Sequence, residues 1–332
     1  MIKSTREKLN ILRGREDGYK NVVLYSYKMS KHDHINDHEV RRLEHSIRSI
    51  REFNNEIPVY LFCDKPSFIP PYFRTHYNVN VLPFEDGFDH DMLNAWSIHR
   101  WYNLRYFDKE LLNILYVDSD TIFYHDVEYL FDTYCTHEIY GREEFGFAYE
   151  PTIGGDKNIR KQLDTVDACI YDLGGITPVY KYCCGVMLLN NGSHIDIVNN
   201  LNELTELMSK FKTNEIFLPI PNRRIVDQYA IWVLLSKIGL DCGLFAIQDV
   251  TQGYLEEKHR NFFNPVVLHY TTNKEQEFAA SNEKFSNLRR DVKGSSVHID
   301  PYQDISEQTI DHLPPELIEL LAEDNGIVAE NL

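Results

Sequence analysis

Two aspartates separated by a single residue follow a hydrophobic stretch in the first half of the chain. The segment reads NILYVDSDTIFYHD from Asn113 to Asp126, and Asp118 and Asp120 come directly after the apolar run ILYV. Residues i and i+2 of an extended chain point the same way, so the two carboxylates are expected to face one spot. Like charges repel there unless a cation or a proton lies between them, so the pattern is compatible with a bound cation or a shared proton. An acidic turn after a strand is the simpler alternative.

The composition excludes several classes of protein. The chain has 332 residues, of which 43% are hydrophobic and 13% aromatic, so it is long and apolar enough to form a globular core. Its formal net charge of -17 disfavours non-specific binding to nucleic acid or to an anionic membrane. We therefore expect no nucleic-acid partner, although a local basic groove for a phosphorylated ligand is compatible with this charge.

The sequence also bears on the compartment. No stretch approaches the length of about 18 apolar residues that a transmembrane helix needs. The first residues, MIKSTREKLNILRGRED, contain no apolar run of secretory length, so no signal peptide is predicted. The six cysteines lack the C-x-x-C spacing of structural zinc sites. A cytoplasmic protein with reduced thiols is the expectation.

Strands alternate with helices along much of the chain. The predicted strands span 21–27, 57–64, 78–84, 112–120, 144–150, 182–190 and 264–272. The predicted helices span 38–53, 91–107, 195–211 and 227–239. This alternation is typical of an α/β protein with a mixed, mostly parallel central sheet flanked by helices. In such sheets ligands bind at the carboxyl ends of the strands, where Asp118 and Asp120 fall.

The chain shows no internal repeat and no low-complexity linker. We therefore expect a single domain over residues 21–290. A charged helical segment at 1–20 precedes it, and an acidic C-terminal extension at 291–332 with a short docking helix follows it.

A strand followed by Asp-x-Asp has two well-known uses, the metal site of nucleotide-sugar glycosyltransferases and the nucleophile loop of haloacid-dehalogenase-type phosphatases. The segment LYVDSDTI fits both. The phosphatase motif usually opens its domain, whereas strands and helices precede it here. That phosphatase also needs a later strand that ends in an acidic pair for Mg²⁺, and the segment GGDKNIRKQLD at 154–164 is helical or loop-like in character. The wider chain favours the glycosyltransferase.

Four features in a fixed order carry a resemblance to a known family. They are YVDSD at 116–120, CCGVMLLN at 183–190, VDQYAI at 226–231 and VVLHYTT at 266–272. The chain resembles GT-A-fold glycosyltransferases and is most similar to the glycogenin and lipopolysaccharide-galactosyltransferase family, numbered eight in the usual classification. The resemblance covers roughly residues 20–275.

The chain departs from the family pattern at several positions. Cys183 stands where the family has Asn before Ala-Gly, and Tyr229 replaces the second acid of the family's DQD. The terminal family pattern H-x-x-G-x-x-K-P-W is reduced to HYTTNKE, with Thr272 at the glycine and Lys274 displaced. These departures indicate a distant relative, so the family's sugar specificity is not carried over.

The resemblance implies a metal site and a leaving group. Asp118, Asp120 and His269 would hold Mn²⁺ or Mg²⁺, and the diphosphate of a nucleotide-sugar would supply further ligands. Asp118 would also touch the ribose. A histidine that only ends a core strand is the alternative for His269. Ser119, between the two acids, and Lys274 are assigned to donor binding.

The resemblance also implies how the donor is bound. Tyr25 and Ser26 end the first strand and would contact a pyrimidine base. A UDP-sugar is therefore the expected donor. The alternative for Tyr25 is a core residue with no ligand contact. Asp64, which ends the second strand, would bond the nucleoside or serve only as a turn acid. Arg100 resembles the basic residue that contacts the diphosphate or donor sugar, with Arg105 as a rival.

The sugar and its transfer are assigned to a glycine and a helix start. Gly185 would allow close backbone approach to the sugar, or form a strand bulge instead. Asp227 and Gln228 would lie against the sugar hydroxyls and are the expected catalytic pair, with a helix N-cap as the alternative for Asp227. The three histidines of KHDHINDHE, at 32, 34 and 38, fit a polar loop better than a zinc site.

These features predict a metal-dependent glycosyltransferase that moves a sugar from a nucleotide donor to a glycan or glycolipid acceptor. The resemblance implies retention of the anomeric configuration. A magnesium-dependent phosphatase and a non-catalytic sugar-binding protein with the same fold are the alternatives. The sequence leaves the acceptor and the oligomeric state open.

Overall fold

The computed structural model describes residues 19–28, 37–85, 98–143, 168, 170–213, 226–246, 249–252 and 265–269. The chain divides into two compact units, one formed by Met1–Thr251 with Pro265–His269 and the other by Gln252–Asn264 with Tyr270–Leu332. All described residues except Gln252 belong to the first unit. The predicted limits at residues 20 and 290 stay predictions.

The first unit is built around one large sheet, and the strand predicted at 144–150 lies outside the described residues. The ten strands of the described residues are β1 Lys20–Tyr27, β2 Val59–Cys63, β3 Val79–Pro83, β4 Leu112–Val117, β5 Thr121–Phe123, β6 Ile139–Glu143, β7 Tyr182–Leu189, β8 Cys242–Leu244, β9 Val250–Gln252 and β10 Val267–His269. Seven of them form one sheet in the order β3-β2-β1-β4-β7-β6-β8. The pairs β1/β2, β2/β3, β1/β4 and β6/β8 are parallel, while β7 is antiparallel to β4 and β6. The mixed, mostly parallel sheet predicted from the sequence is confirmed.

Helices connect the strands. They are α1 Asp37–Arg51, α2 Tyr72–Thr75, α3 His99–Tyr102, α4 Glu128–Thr133, α5 Ser193–Asn199, α6 Leu201–Thr213 and α7 Val226–Ile238, with 3₁₀ turns at Pro66–Phe68 and Asn103–Phe107. The predicted helix at 195–211 is two helices that meet at Asn200. The Asn200 side chain donates to the backbone oxygen of Asp196 at 2.8 Å, and its own backbone leaves the helical region. An asparagine that bonds its local backbone favours a helix end over a helix interior.

Both faces of the large sheet are covered by apolar packing. Along β1, Val22 and Leu24 belong to one buried cluster, whereas Val23 and Tyr25 belong to the other. This alternation follows from the two-residue period of a strand. Because both faces are buried, the ends of the strands are where polar side chains can meet solvent and ligand.

A second, three-stranded sheet in the order β5-β10-β9 carries the late histidine. Strand β10 runs antiparallel to β5, with His269 opposite Thr121. His269 therefore reaches the two aspartates from this small sheet and not from a strand of the large one. Every helix in the described ranges is too short or too polar to cross a bilayer.

Candidate active site

The two aspartates lie in a tight turn, Asp118-Ser119-Asp120, which we call the acid turn. Strand β4 ends at Val117, three residues before the predicted end. The backbone nitrogen of Asp118 donates to the Gly185 oxygen at 2.8 Å, and the Thr121 hydroxyl donates to the Asp118 oxygen at 2.9 Å. The turn is therefore attached to β7 on one side and closed by its own threonine on the other.

Three groups with metal-ligand chemistry converge at the acid turn. One ligand atom each from Asp118, Asp120 and His269 lies within 4.8 Å of the others. His269 Nε2 is 3.3 Å from Asp120 Oδ1 and 3.8 Å from Asp118 Oδ2. Asp120 Oδ1 is buried and accepts no hydrogen bond from the described residues, although the imidazole is close. Such an oxygen is costly to bury without a partner, and two carboxylates with one imidazole suit Mn²⁺, so these residues fit a divalent cation.

The imidazole of His269 is held from two sides. A Cβ added to Gly185 would lie 2.0 Å from His269 Cε1 and 2.3 Å from Nε2, so only glycine leaves room for the ring. Cys183 Sγ lies 3.5 Å from the other ring nitrogen, Nδ1. A contact on Nδ1 fixes the ring orientation and leaves Nε2 to face the acid turn. The predicted role of Gly185 toward a sugar stays a prediction.

Arg100 links the acid turn to helix α7. Its Nη1 donates to the Cys184 oxygen at 2.7 Å and lies 3.7 Å from Asp118 Oδ1, while its Nε lies 3.4 Å from Asp227 Oδ2. Burial by itself would lower the pKa of Arg100, but Asp118, Tyr116 and Asp227 raise that pKa well above its usual value. A permanent positive charge therefore lies behind the acid turn.

Arg105, the other candidate for the basic residue of the donor site, lies in a different environment from Arg100. Arg105 is exposed on the 3₁₀ turn, whereas Arg100 is buried among carboxylates. The ring of Tyr116 lies under the Arg100 guanidinium, with Cζ 5.0 Å from the ring centroid, and the Tyr116 hydroxyl donates to Asp118 Oδ1 at 2.6 Å. Arg100 is thus the one of the two that shares contacts with the acid turn.

Helix α7 begins with the predicted catalytic pair. Asp227 is buried beside Arg100, and Gln228 is buried next to β7. Gln228 Oε1 accepts the backbone N–H of Cys184 at 3.1 Å, while Gln228 Nε2 is buried and has no hydrogen-bond partner among the described residues. The arrangement leaves the NH₂ group of Gln228 as a donor for a ligand oxygen.

The residues predicted to bind the nucleoside lie at the ends of β1 and β2. Tyr25 is buried in the core, and its hydroxyl pairs with Ser46 Oγ at 2.7 Å. Ser26 is half-buried and accepts a hydrogen bond from Asn103 Nδ2 at 3.0 Å, and Asp64 is half-buried after β2. Their nucleoside contacts stay predictions.

The remaining sequence assignments fall in two groups. Ser119 is half-buried between the two aspartates of the acid turn. Lys274 and the side chains of the three histidines at 32, 34 and 38 lie outside the described residues.

Sequence reasoning missed one residue of the site, Arg42 on α1. Arg42 Nη2 is 3.1 Å from Asp120 Oδ2. Burial alone would raise the pKa of Asp120, but His269 and then Arg42 bring that pKa below its usual value. The sequence did contain one indication of this role. Arg42, Ser46 and Ser49 are spaced by four and three residues, so they form a polar stripe on one face of the helix.

No protein-family model and no curated protein sequence matches the chain. The solved structures similar to it include the galactosyltransferase LgtC in complex with donor and acceptor sugar analogues (13% identity, TM-score 0.47, covering 82% of this chain and 95% of that one). Mouse xyloside xylosyltransferase 1 is similar at 10% identity and a TM-score of 0.47, over 76% of this chain and 98% of that one. The glycosyltransferase GlyE of Streptococcus pneumoniae TIGR4 is similar at 17% identity and a TM-score of 0.46, over 82% and 64%.

These three structures are glycosyltransferases. The mixed, mostly parallel sheet flanked by helices is consistent with the GT-A fold that the sequence resemblance implied.

Proposed function

We propose that this protein is a metal-dependent glycosyltransferase that moves a sugar from a nucleotide-sugar donor, a UDP-sugar, to a glycan or glycolipid acceptor. The observation that supports it is the convergence of Asp118, Asp120 and His269 at the end of β4, beside Arg100 and Asp227. Retention of the anomeric configuration is part of the proposal through the sequence resemblance.

The leaving group of such a reaction is a nucleoside diphosphate, so the main task of the site is to neutralise developing negative charge. Asp118, Asp120 and His269 would hold the divalent cation, which supplies Lewis-acid stabilisation of the diphosphate when bound. Arg100 fixes the Asp118 carboxylate from behind through a 3.7 Å contact. A ligand set that is held before the substrate arrives needs no reorganisation during the reaction, which is how fixed charges accelerate transfer.

The sugar end of the donor is assigned to the start of α7. Gln228 is anchored through Oε1 on the Cys184 N–H, so its Nε2 is left as a donor to a sugar hydroxyl or ring oxygen. Asp227 is held by Arg100 at 3.4 Å and would accept from a sugar hydroxyl. Both groups are buried, so their interactions with a sugar would be little screened by water.

The nucleoside is assigned to the carboxyl ends of β1 and β2. Ser26 and Asp64 are half-buried there and offer oxygen atoms to a base or ribose. Tyr25 is buried in the core with its hydroxyl on Ser46, so its role would be to support the end of β1.

The phosphatase alternative makes a different demand on Asp118, which would have to act as a nucleophile. Its Oδ1 accepts the Tyr116 hydroxyl at 2.6 Å and faces Arg100. Both contacts lower the nucleophilicity of a carboxylate. An imidazole beside the acid turn likewise suits metal binding better than phosphoryl transfer to an aspartate, so the geometry favours the transferase.

A donor screen tests the proposal. Hydrolysis of UDP-, GDP- and CMP-sugars with Mn²⁺ is compared with hydrolysis of simple phosphomonoesters, with Asp120→Asn as the control. We expect release of UDP from UDP-sugars alone, and none from the variant. Phosphate release from monoesters without donor hydrolysis would establish the phosphatase. Tight donor binding without turnover, in the presence of a range of acceptors, would establish a sugar-binding protein.

A further inference from the structure

Helix α1 is attached to the segment that follows the acid turn. Ser46 Oγ and Thr121 Oγ1 are 2.8 Å apart, and Ser49 Oγ accepts the backbone N–H of Phe123 at 2.9 Å. Both serines are buried, so these bonds are shielded from water. The helix is therefore fixed at two points against β5, which directly follows the acid turn.

Arg42 lies one helical turn before Ser46 on the same face. Its guanidinium is 3.1 Å from Asp120 Oδ2, while Asp120 Oδ1 is 3.3 Å from His269 Nε2. One oxygen of the Asp120 carboxylate therefore faces the guanidinium of Arg42, and the other faces the imidazole of His269. The side chains of Arg42 and Asp120 are only 18% and 16% exposed, so solvent screens this pair less than a surface ion pair.

The charges around the acid turn nearly cancel within the described residues. The carboxylates of Asp118, Asp120 and Asp227 face the guanidinium groups of Arg42 and Arg100, which leaves one negative charge when the imidazole of His269 is neutral, as a metal ligand must be. A guanidinium keeps its charge at all ordinary pH values. A divalent cation that enters without a nucleotide is therefore attracted only weakly by the carboxylates, because the positive charges of the two arginines lie close to it.

We infer that Arg42 is a counter-ion of the metal site and that its positive charge weakens the binding of a free divalent cation. Tight binding of the cation then requires an anionic diphosphate. This inference rests on the proposed function, since it concerns the same site. A diphosphate brings the negative charge that the arginines offset, so cation and nucleotide bind with positive coupling. In this scheme Arg42 does not touch the cation and acts on it through Asp120 and through its positive charge. Removing that charge should therefore increase the affinity for the free metal ion, whereas most substitutions near a metal site decrease it.

Calorimetric titration of Mn²⁺ into the full-length protein, with and without UDP, tests the inference. Without UDP, Arg42→Gln should bind Mn²⁺ at least tenfold more tightly than the wild type, because a unit charge about 6 Å from a divalent cation changes the affinity by roughly that factor even at the dielectric constant of water. Arg42→Lys, which keeps the charge, should stay near the wild type. With UDP present, the difference in Mn²⁺ affinity between Arg42→Gln and the wild type should become smaller.

A neighbour on the same helix provides the matched control. Arg41 is exposed, so Arg41→Gln removes the same unit charge without touching Asp120 and should leave Mn²⁺ affinity unchanged. Damage to the fold would weaken binding, so a tighter complex is a signature that a merely structural role of Arg42 does not produce.

The possible failures are distinguishable. Unchanged or weaker Mn²⁺ binding by Arg42→Gln, in a protein whose wild type releases UDP from its donor, would overturn the inference and leave the proposed function standing. A wild type that binds no Mn²⁺ with or without UDP would overturn both.

Discussion

The imidazole of His269 lies against the backbone of Gly185, where a Cβ would come within 2.0 Å of His269 Cε1. Gly185 belongs to β7 and His269 to β10, so this contact joins the large sheet to the small one. The same glycine accepts the Asp118 N–H at 2.8 Å through its oxygen. One residue therefore positions both the acid turn and the imidazole that faces it.

Gly185→Ala should displace the ring of His269 and weaken metal binding. The ring is buried, so it cannot move aside without disturbing its neighbours. Disturbing a contact that orients a metal ligand typically costs about 10- to 100-fold in metal affinity. Titration of Mn²⁺ in the presence of UDP measures the effect.

A double variant separates this effect from general damage. If Gly185→Ala acts through the imidazole, the combination with His269→Ala should bind Mn²⁺ as weakly as His269→Ala alone. Additive losses in the double variant would mean that the alanine disturbs the acid turn directly, and wild-type affinity in Gly185→Ala would remove His269 from the ligand set.

Arg100→Ala should destabilise the fold strongly. The substitution leaves the buried Asp227 carboxylate without its arginine partner, 3.4 Å away, and breaks the 2.7 Å bond to the Cys184 oxygen. Breaking a buried pair from one side typically costs about 3–5 kcal/mol. The exposed Arg105→Ala is the matched control and should lie within about 0.5 kcal/mol of the wild type. Urea unfolding of both variants measures this, and equal effects would contradict the buried network.

Asp227→Ala should lower kcat much more than it weakens UDP binding. The side chain lies at the start of α7, assigned to the donor sugar, and an interaction that strengthens only in the transition state appears in kcat. Donor hydrolysis gives kcat, and UDP displacement gives the nucleotide affinity. Asp227→Asn, which preserves volume, controls for the cavity. Weakened UDP binding with unchanged turnover of bound donor would place Asp227 at the nucleotide instead.

The sequence predicted the elements that carry the site better than the contacts between them. The apolar run before Asp118 predicted β4, and alternation along the chain predicted the mostly parallel sheet. Pairing of β10 with β5 was not predictable, because three-residue strands carry too little periodicity to specify a partner.

Arg42 illustrates the other limit of the sequence. The sequence alone predicts that Asp120→Asn relieves repulsion between carboxylates and preserves or raises stability without metal. With Arg42 3.1 Å from Asp120, the same change instead removes a favourable pair, so a lower Tm is now expected. A side chain on a distant helix carries no local sign of the acid that it will meet.

A buried carboxyl away from the acid turn predicts a pH effect on stability. Asp249 is buried, its Oδ2 accepts the Tyr134 hydroxyl, and burial raises its pKa above the ordinary value although Tyr134 opposes that shift. A carboxyl with a raised pKa in the folded state contributes stability below its unfolded pKa of about 4, and this contribution is lost as the pH rises through the folded value.

Asp249→Asn should therefore raise Tm relative to the wild type at pH 7, and this advantage should shrink as the pH falls toward 4. The amide oxygen can still accept the Tyr134 hydroxyl, so the variant keeps the bond and loses the cost of a buried charge. Thermal unfolding with EDTA over this pH range measures the difference, with the exposed Asp108→Asn as the control. A difference in Tm between Asp249→Asn and the wild type that is constant from pH 4 to 7 would show that Asp249 has no raised pKa in the folded protein.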